Sequence, residues 1–245
     1  MKTIRLDKDA FGQGLVAYLR DGWAYEIVER NDGNVDVTDK GVYFTKYKEW
    51  RDIEKTAVKY ANGKIADIGC GAGRHSLYLQ SKGFDVTGVD SSPLAIEVCR
   101  KLGLKKAINK SLTEMVNGKI KFDTLLMLGH NFGLFESKTK AKRIFQKLYK
   151  IMPDKSRIIA ETMDPYKTDN PAHMAYQRNN VRMGRMAGQI RIRVRFRNIT
   201  GPWFDYIFVS LKELKDIISV TGWKIEKVLK DKSPTYIAII IKGGK

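Results

Sequence analysis

The chain has 245 residues, of which 43% are hydrophobic and 29% charged, a composition typical of a folded domain rather than of disorder, collagen or a coiled coil. Its 45 basic and 27 acidic residues give a net charge of +18, which favours an acidic partner (nucleic acid, an anionic membrane or an acidic substrate) or a solvated lysine-rich surface. Two cysteines exclude a disulfide framework, and no apolar run approaches the roughly 20 residues of a membrane span, so we expect a cytoplasmic protein.

An N-terminal segment, residues 1–62, comes before the regular part of the sequence. Apolar residues at helical spacing predict a helix that begins near residue 9. Apolar stretches at 25–29 and 35–37 flank an Asn-Asp-Gly-Asn turn and predict a hairpin. A second helix is predicted over 48–60, before an Asn-Gly pair that would end it.

From residue 64 onward, short apolar runs alternate with amphipathic stretches, each closed by glycine or proline. The predicted strands are 65–68, 85–89, 106–108, 124–128, 157–161, 224–230 and 236–241. The predicted helices are 74–82, 93–102, 138–151 and 210–221. Strands separated by helices of this length indicate βαβ units and an α/β fold, with a parallel sheet covered on both faces. Such sheets place ligands beyond the carboxyl ends of their strands.

The alternation is interrupted by an insertion, about residues 164–208, that contains a strand of period two. Apolar residues at 190–196 alternate with four arginines, Arg191, Arg193, Arg195 and Arg197. Residues 203–209 could pair with this strand. The cationic face could track phosphates, bind a small acidic substrate or face solvent at the sheet edge, and we favour the solvated face.

The most informative stretch is the loop after the first predicted strand of the sheet, which contains three glycines, Gly69, Gly71 and Gly73. These glycines allow a tight turn and let a ligand lie against the backbone near a helix N-terminus. A dinucleotide fingerprint would have a further small residue where this chain has Arg74. Asp67 precedes the loop and suits a ligand with a cationic group. Asp90, at the end of the next strand, is placed to accept hydrogen bonds from ribose hydroxyls.

Together these residues resemble the class I S-adenosylmethionine-dependent methyltransferases, over residues 64–162 in motifs and over 209–241 in element order. The resemblance implies a Rossmann-like, seven-stranded, mostly parallel sheet with helices on both faces, plus an N-terminal helical and hairpin segment and an antiparallel strand insertion. It divides the chain into a lid or cap segment at 1–62 and a cofactor-binding domain at 63–245. The insertion at 164–208 is then a substrate lid.

The resemblance also implies a set of residues that bind S-adenosylmethionine. Asp67 and the three loop glycines, Gly69, Gly71 and Gly73, match the loop around the methionine moiety, and Asp90 matches the acid that binds the ribose. Ser91 would lie beside the adenine, with Leu128 near the cofactor. Ser111 and Leu112 stand where the family usually offers the adenine an acidic or amide residue and then an apolar one. Serine at this position is a departure from the family pattern.

Chemistry is expected in the Gly-His-Asn-Phe-Gly segment after the fourth predicted strand. Methyl transfer from a sulfonium needs alignment and exclusion of water, and it needs a base only if the acceptor holds a proton. His130 could act as that base, and Asn131 could hold an acceptor amine or carboxylate. Alternatively, both side chains orient the loop through backbone hydrogen bonds. Neither the Pro-Pro tetrad of enzymes that methylate base amines nor the nucleophilic cysteine of those that methylate pyrimidine C5 is present in this segment.

Four further residues are candidates for contact with the acceptor: Tyr43, Tyr47, Tyr166 and Arg193. We therefore expect an S-adenosylmethionine-dependent methyltransferase that acts by in-line displacement on a small-molecule acceptor. An RNA methyltransferase, supported by the net charge of +18, and a cofactor-binding module without catalysis are the alternatives. A nicotinamide-dependent oxidoreductase would instead bind a dinucleotide.

Overall fold

The computed structural model describes residues 2–118 and 121–243. Its helices are α1 (Ala10–Asp21), α2 (Asp52–Ala57), α3 (Arg74–Ser81), α4 (Pro93–Lys101), α5 (Leu112–Val116), α6 (Lys138–Ile151), α7 (Pro171–Arg182) and α8 (Leu211–Ile218). Its strands are β1 (Tyr25–Arg30), β2 (Val35–Asp39), β3 (Lys64–Ile68), β4 (Asp85–Asp90), β5 (Ala107–Asn109), β6 (Thr124–Met127), β7 (Arg157–Met163), β8 (Gln189–Phe196), β9 (Ile199–Thr200), β10 (Phe204–Ile207), β11 (Trp223–Lys230) and β12 (Thr235–Lys242).

Seven of the strands in the described residues form the main sheet, in the order β11-β12-β7-β6-β3-β4-β5. The five neighbouring strands β7, β6, β3, β4 and β5 run parallel to one another. Strand β12 is antiparallel to both β7 and β11. The central strands are buried on both faces, and this explains their nearly continuous apolar sequences. The predicted fold class, with each of its seven main-sheet strands, is confirmed.

The remaining strands form a second sheet, here called the small sheet, in the order β10-β8-β1-β2, with β9 paired to β8. Its pairs are antiparallel and join two distant parts of the chain. Val28 of the N-terminal hairpin lies opposite Val194 of the insertion, and Ile192 lies opposite Phe204. The arginine-rich strand β8 is therefore the central element that links the N-terminal segment to the insertion.

The N-terminal segment is fastened to the main domain through Asp9, which is fully buried. Its carboxylate caps helix α1 by accepting a hydrogen bond from the Gly12 amide at 2.9 Å. The same carboxylate accepts hydrogen bonds from the Ser92 hydroxyl at 2.7 Å and from the Leu94 amide at 3.1 Å, at the start of α4. One acid thus holds the N-termini of two helices together, directly after strand β4.

The predicted helix over 48–60 is wrong as a single element, because it is broken into the short helix α2 between two 3-10 turns, 47–49 and 58–60. The backbone is extended at Trp50 and Arg51, with ψ of 154° and 147°. The indole of Trp50 donates to the Thr45 carbonyl at 3.0 Å, which favours the break over a continuous helix. Helix α7 in the insertion was not predicted, although Asn170 followed by proline is a usual helix start.

Helices in the described residues are too short or too polar to cross a bilayer.

Candidate functional site

A cavity of about 1310 Å³ lies between the carboxyl ends of the main-sheet strands and one face of the small sheet. On the main-sheet side it is lined by Gly69, Asp90 and His130, which follow or end β3, β4 and β6. On the small-sheet side it is lined by apolar residues such as Val28 and by charged residues such as Arg30. The cavity therefore opens where an α/β sheet is expected to bind its ligand.

The glycine loop is shaped so that its backbone borders the cavity. Gly69 has φ of +69°, and a Cβ placed there would lie 2.7 Å from Nδ2 of Asn131. A Cβ at Gly71, where φ is +57°, would lie 3.2 Å from the ring of Tyr43. Larger residues would strain the backbone and press against Asn131 or Tyr43, so the loop requires glycine at these positions. Gly73 caps helix α3 in the same left-handed conformation.

Asp67 is buried, 2% exposed, and lies outside the cavity wall. Its carboxylate accepts a hydrogen bond from the Ser76 hydroxyl in α3 at 2.7 Å. Burial raises the pKa of Asp67, while the neighbouring His75 and Ser76 act in the opposite direction. In this conformation the side chain joins β3 to α3 and so supports the glycine loop.

Asp90 lies on the cavity wall at the end of β4. Oδ2 accepts from the Gly71 amide at 3.0 Å and Oδ1 from the Ser92 amide at 2.9 Å. Burial raises the pKa of Asp90 to about 6, against the two amides that stabilise its charge. Each oxygen keeps a lone pair for a hydroxyl of a ligand. Ser91 lines the cavity beside it.

Ser111, Leu112 and Leu128 also line the cavity. The Ser111 hydroxyl is engaged at the start of α5, where it donates to the Glu114 carboxylate at 2.7 Å. Because this capping box occupies the serine, the two leucines, 6% and 2% exposed, supply the apolar surface there.

His130 begins the turn after β6 in a left-handed conformation, with φ of 64°. Its carbonyl accepts a hydrogen bond from the Tyr206 hydroxyl at 2.6 Å, and its Nε2 lies 3.1 Å from Oγ1 of Thr235. Burial lowers the pKa of the imidazole. Glu161, fully buried at the end of β7, accepts from the Gly129 amide at 2.8 Å and pairs with Arg51.

Asn131 borders the cavity, but its side-chain nitrogen is already hydrogen-bonded within the protein. Nδ2 donates to the carbonyls of Ile68 and Gly69, both at 2.9 Å. The side chain therefore ties the turn after β6 to the glycine loop after β3, which is the loop-orienting alternative for this residue.

Tyr43 borders the cavity near the glycine loop and belongs to a buried cluster that the sequence did not reveal. Its hydroxyl donates to Oε1 of Glu26 at 3.0 Å, and Lys40 donates to Oε2 of the same carboxylate at 2.5 Å. The Lys40 side chain is fully buried, and its ammonium lies 3.8 Å from the ring centroid of Phe11. Burial lowers the pKa of Lys40 and raises that of Tyr43. Glu26 and Lys40 lie among polar neighbours in sequence, and no pattern marks them.

The other three residues that were expected to contact the acceptor do not line the cavity. Tyr47 stacks on Tyr78, with ring centroids 4.3 Å apart. The exposed Tyr166 donates its hydroxyl to Glu213 at 2.8 Å. Arg193 lies on the opposite face of the small sheet, where its side chain contacts Glu29 at 2.9 Å and the Trp203 ring.

The arginine face of β8 carries acidic partners. Arg193 and Arg195 share Glu29, at 2.9 and 3.4 Å. Arg191 lies 3.5 Å from Asp205, and Arg197 lies 4.0 Å from Asp21. The alternating apolar residues of the same strand, Ile190, Ile192 and Val194, line the cavity, and of the four arginines Arg191 also borders it.

Comparison with protein families matches residues 36–170, 55% of the chain by length, to the model described as tellurite resistance protein TehB. Among curated proteins, a mitochondrial ubiquinone biosynthesis O-methyltransferase of Schizosaccharomyces pombe is 40% identical over 63 residues, 26% of this chain and 20% of that protein. The putative methyltransferase YqeM of Bacillus subtilis is 21% identical over 139 residues, 55% of this chain and 56% of that protein. The chain thus spans about a fifth and about half of the lengths of these relatives.

Solved structures extend the likeness to the fold of the whole chain. A S-adenosylmethionine-dependent methyltransferase of Bacteroides fragilis, solved with S-adenosylhomocysteine, has a TM-score of 0.84 at 24% identity and covers 99% of both chains. The 1,6-didemethyltoxoflavin-N1-methyltransferase of Burkholderia thailandensis, solved with 1,6-didemethyltoxoflavin and S-adenosylhomocysteine, has a TM-score of 0.56 at 13% identity. It covers 96% of this chain and 88% of that chain.

The family predicted from the glycine loop, the spaced acid and the strand order is confirmed by these matches. The chain belongs to the TehB family, and its fold is that of the class I S-adenosylmethionine-dependent methyltransferases.

Proposed function

We propose that the protein transfers the methyl group of S-adenosylmethionine to a small molecule bound between the main sheet and the small sheet. The observation that carries this proposal is the continuity of the cavity, which reaches from the glycine loop and Asp90 to the apolar face of the small sheet. Its volume of about 1310 Å³ exceeds that of an ordinary ligand pocket, about 300–1,000 Å³. It is large enough for a nucleoside cofactor and an acceptor side by side.

The residues present fit the cofactor. Asp90 offers two carboxylate oxygens at the cavity wall for the ribose hydroxyls, and Gly69 and Cys70 of the glycine loop border the same cavity. Leu112 and Leu128 provide apolar contact for the adenine, with Ser91 and Ser111 beside them. The bound cofactor supplies an activated methyl group, and the chain has to align the acceptor with it and exclude water.

The small sheet serves as the acceptor lid in this proposal. Residues 1–62 and 164–208 together cover the carboxyl ends of the main-sheet strands, through β1, β2, β8 and β10. The lid presents Val28, Ile192, Val194 and Phe204 to the cavity, so we expect an acceptor with a substantial apolar portion. Tyr43, Asn131 and His130 lie at the boundary between the cofactor and acceptor regions.

An RNA acceptor receives less support from the distribution of charge. Arg193 and Arg195 lie on the face of β8 that does not line the cavity, and both are paired with Glu29. A phosphate backbone that bound there would have to displace this acid, and its bases would lie on the wrong side of the small sheet.

The proposal is tested by incubating the purified chain with S-adenosylmethionine labelled in its methyl group and with separate pools of small metabolites, transfer RNA, ribosomal RNA and protein. We expect label in the small-metabolite pool. Label in an RNA pool alone would replace the proposal with RNA methylation, and label in no pool, with the cofactor bound, would indicate a binding module.

A further inference from the structure

The two ring nitrogens of His130 have different surroundings. Nε2 lies 3.1 Å from Oγ1 of Thr235 and 3.6 Å from Oε1 of Glu161. Nδ1 has no hydrogen-bond partner among the residues that the structure describes, and 34% of the side chain is exposed where it lines the cavity. One nitrogen is therefore held by the protein, while the other is open to a ligand.

Glu161 is fixed in place beside Nε2. The side chain is fully buried, one carboxylate oxygen accepts from the Gly129 amide at 2.8 Å, and the other pairs with Arg51. A lone pair on Nε2 would face this negative charge, whereas an N–H there is attracted to it. The carboxylate therefore favours the tautomer with the proton on Nε2, and the Thr235 hydroxyl then accepts that N–H.

Charges from several elements act on the imidazole. Burial lowers its pKa, and Arg51 lowers it further. Glu161, Glu54 and Asp231 raise it, but the net direction is downward. Since the ordinary value is 6.5, the imidazole is neutral at neutral pH, so one nitrogen carries a lone pair.

We propose that Glu161 is a positioning residue that keeps the proton of His130 on Nε2, so that Nδ1 accepts a proton from the methyl acceptor. This inference rests on the proposed function. In the step, the acceptor atom loses its hydrogen as a proton to Nδ1 and uses the freed electron pair to form a bond to the methyl carbon. The carbon–sulfur bond breaks with its electron pair on sulfur, leaving neutral S-adenosylhomocysteine. The acceptor atom therefore carries a hydrogen before transfer, as in a hydroxyl, a thiol or an N–H group.

The tautomer can be measured without any acceptor. Long-range ¹H–¹⁵N spectra of the full ¹⁵N-labelled chain distinguish protonated from unprotonated ring nitrogens, and His130→Asn assigns the signal among three histidines. We expect wild-type His130 to be protonated at Nε2 above its pKa. Protonation at Nδ1 would overturn the proposal. This measurement does not depend on the folding of any variant at residue 161.

Two variants test the assignment to Glu161. Glu161→Gln removes the charge beside Nε2, so we expect a mixture of tautomers and a pKa of His130 below the wild-type value. Asp164→Asn removes the same charge three residues further on and should leave the tautomer unchanged. A folded Glu161→Gln protein that keeps the wild-type tautomer and pKa would overturn the proposal.

Calorimetric titration of the same samples with S-adenosylhomocysteine distinguishes failure of this inference from failure of the proposed function. Binding together with an Nδ1–H tautomer overturns this inference and leaves the proposed function standing. Absence of binding by the wild type overturns the proposed function, and with it the acceptor chemistry, whichever tautomer is found.

Discussion

The two walls of the cavity are built in different ways. The part of the cofactor wall that holds the glycine loop and Asp90 comes from one short stretch, in which β3, the glycine loop, α3 and β4 follow one another from Lys64 to Asp90. The opposite wall, the small sheet, is assembled from segments far apart in the chain, so that Val28 lies opposite Val194. Local sequence determines the first wall, whereas long-range strand pairing determines the second.

The two walls also differ in the groups that stabilise their buried carboxylates. Asp90 is stabilised by the backbone amides of Gly71 and Ser92, which any sequence with this loop would provide. Glu26, on the small sheet, depends on the side chains of Lys40 and Tyr43. Backbone partners persist when a side chain changes, but a buried ion pair loses its balance when either member is removed.

The largest expected effect is on the small-sheet wall. Lys40→Met should lower the free energy of unfolding by roughly 3–5 kcal/mol, because it leaves the Glu26 carboxylate buried without its cation. Urea denaturation followed by circular dichroism measures this. The double variant with Glu26→Gln is the control and should recover a large part of the loss. If the double variant lost as much free energy of unfolding as the two single variants together, Lys40 and Glu26 would not be coupled.

A smaller effect is expected where the two walls meet. A Cβ at Gly133 would overlap the ring of Tyr206, whose hydroxyl bonds to the carbonyl of His130. Gly133→Ala should displace this lid residue at a cost of about 1–3 kcal/mol. Acceptor turnover should then fall more than S-adenosylhomocysteine affinity. Tyr206→Phe keeps the ring and removes only the hydrogen bond, so it should have the milder effect. Equal losses of affinity and turnover in Gly133→Ala would argue against a separate acceptor wall.

The cofactor wall should respond to pH. Because the pKa of Asp90 is raised to about 6 in the free protein, the carboxyl becomes protonated as the pH falls below that value. Accepting two ribose hydroxyls favours the ionised form, so affinity for S-adenosylhomocysteine should fall by up to about tenfold per pH unit below 6. Calorimetry from pH 7.5 to 5 measures this, with Asp90→Asn as the control that lacks the step. A profile that is flat in the wild type would contradict this role.

The smallest effect is expected from added salt, which would screen the outer arginines of the small sheet. If the acceptor is a small molecule inside the cavity, turnover should change little between 50 and 200 mM salt. An RNA held by six to ten phosphate contacts would lose roughly 10³–10⁵-fold in affinity over the same range. Filter binding of transfer RNA, measured beside transfer of the labelled methyl group to the small-metabolite pool, would reveal such a dependence.

The contrast between the walls explains what the sequence could predict. The main sheet follows from apolar runs separated by helices, and the positions of Asp67, the loop glycines and Asp90 follow from their spacing along adjacent strands. Arg193 was misplaced because no local pattern says which face of the small sheet borders the cavity, and Tyr166 was misplaced because its partner Glu213 lies 47 residues away in the sequence. Glu161 could not be identified, since its partner Arg51 lies 110 residues away in the sequence. Lys40 could not be identified because nothing in the polar sequence around it indicates that it is buried against Glu26.

The most direct test of the account is a calorimetric titration of the full chain with S-adenosylhomocysteine and, separately, with a nicotinamide dinucleotide. We predict saturable binding of S-adenosylhomocysteine at one site and none of the dinucleotide. Asp90→Ala should weaken that binding by about 100-fold or more, because two hydrogen bonds to a charged group are lost. Failure of the wild type to bind S-adenosylhomocysteine, or binding that is unchanged in Asp90→Ala, would contradict the assignment of the glycine loop and Asp90 to this cofactor.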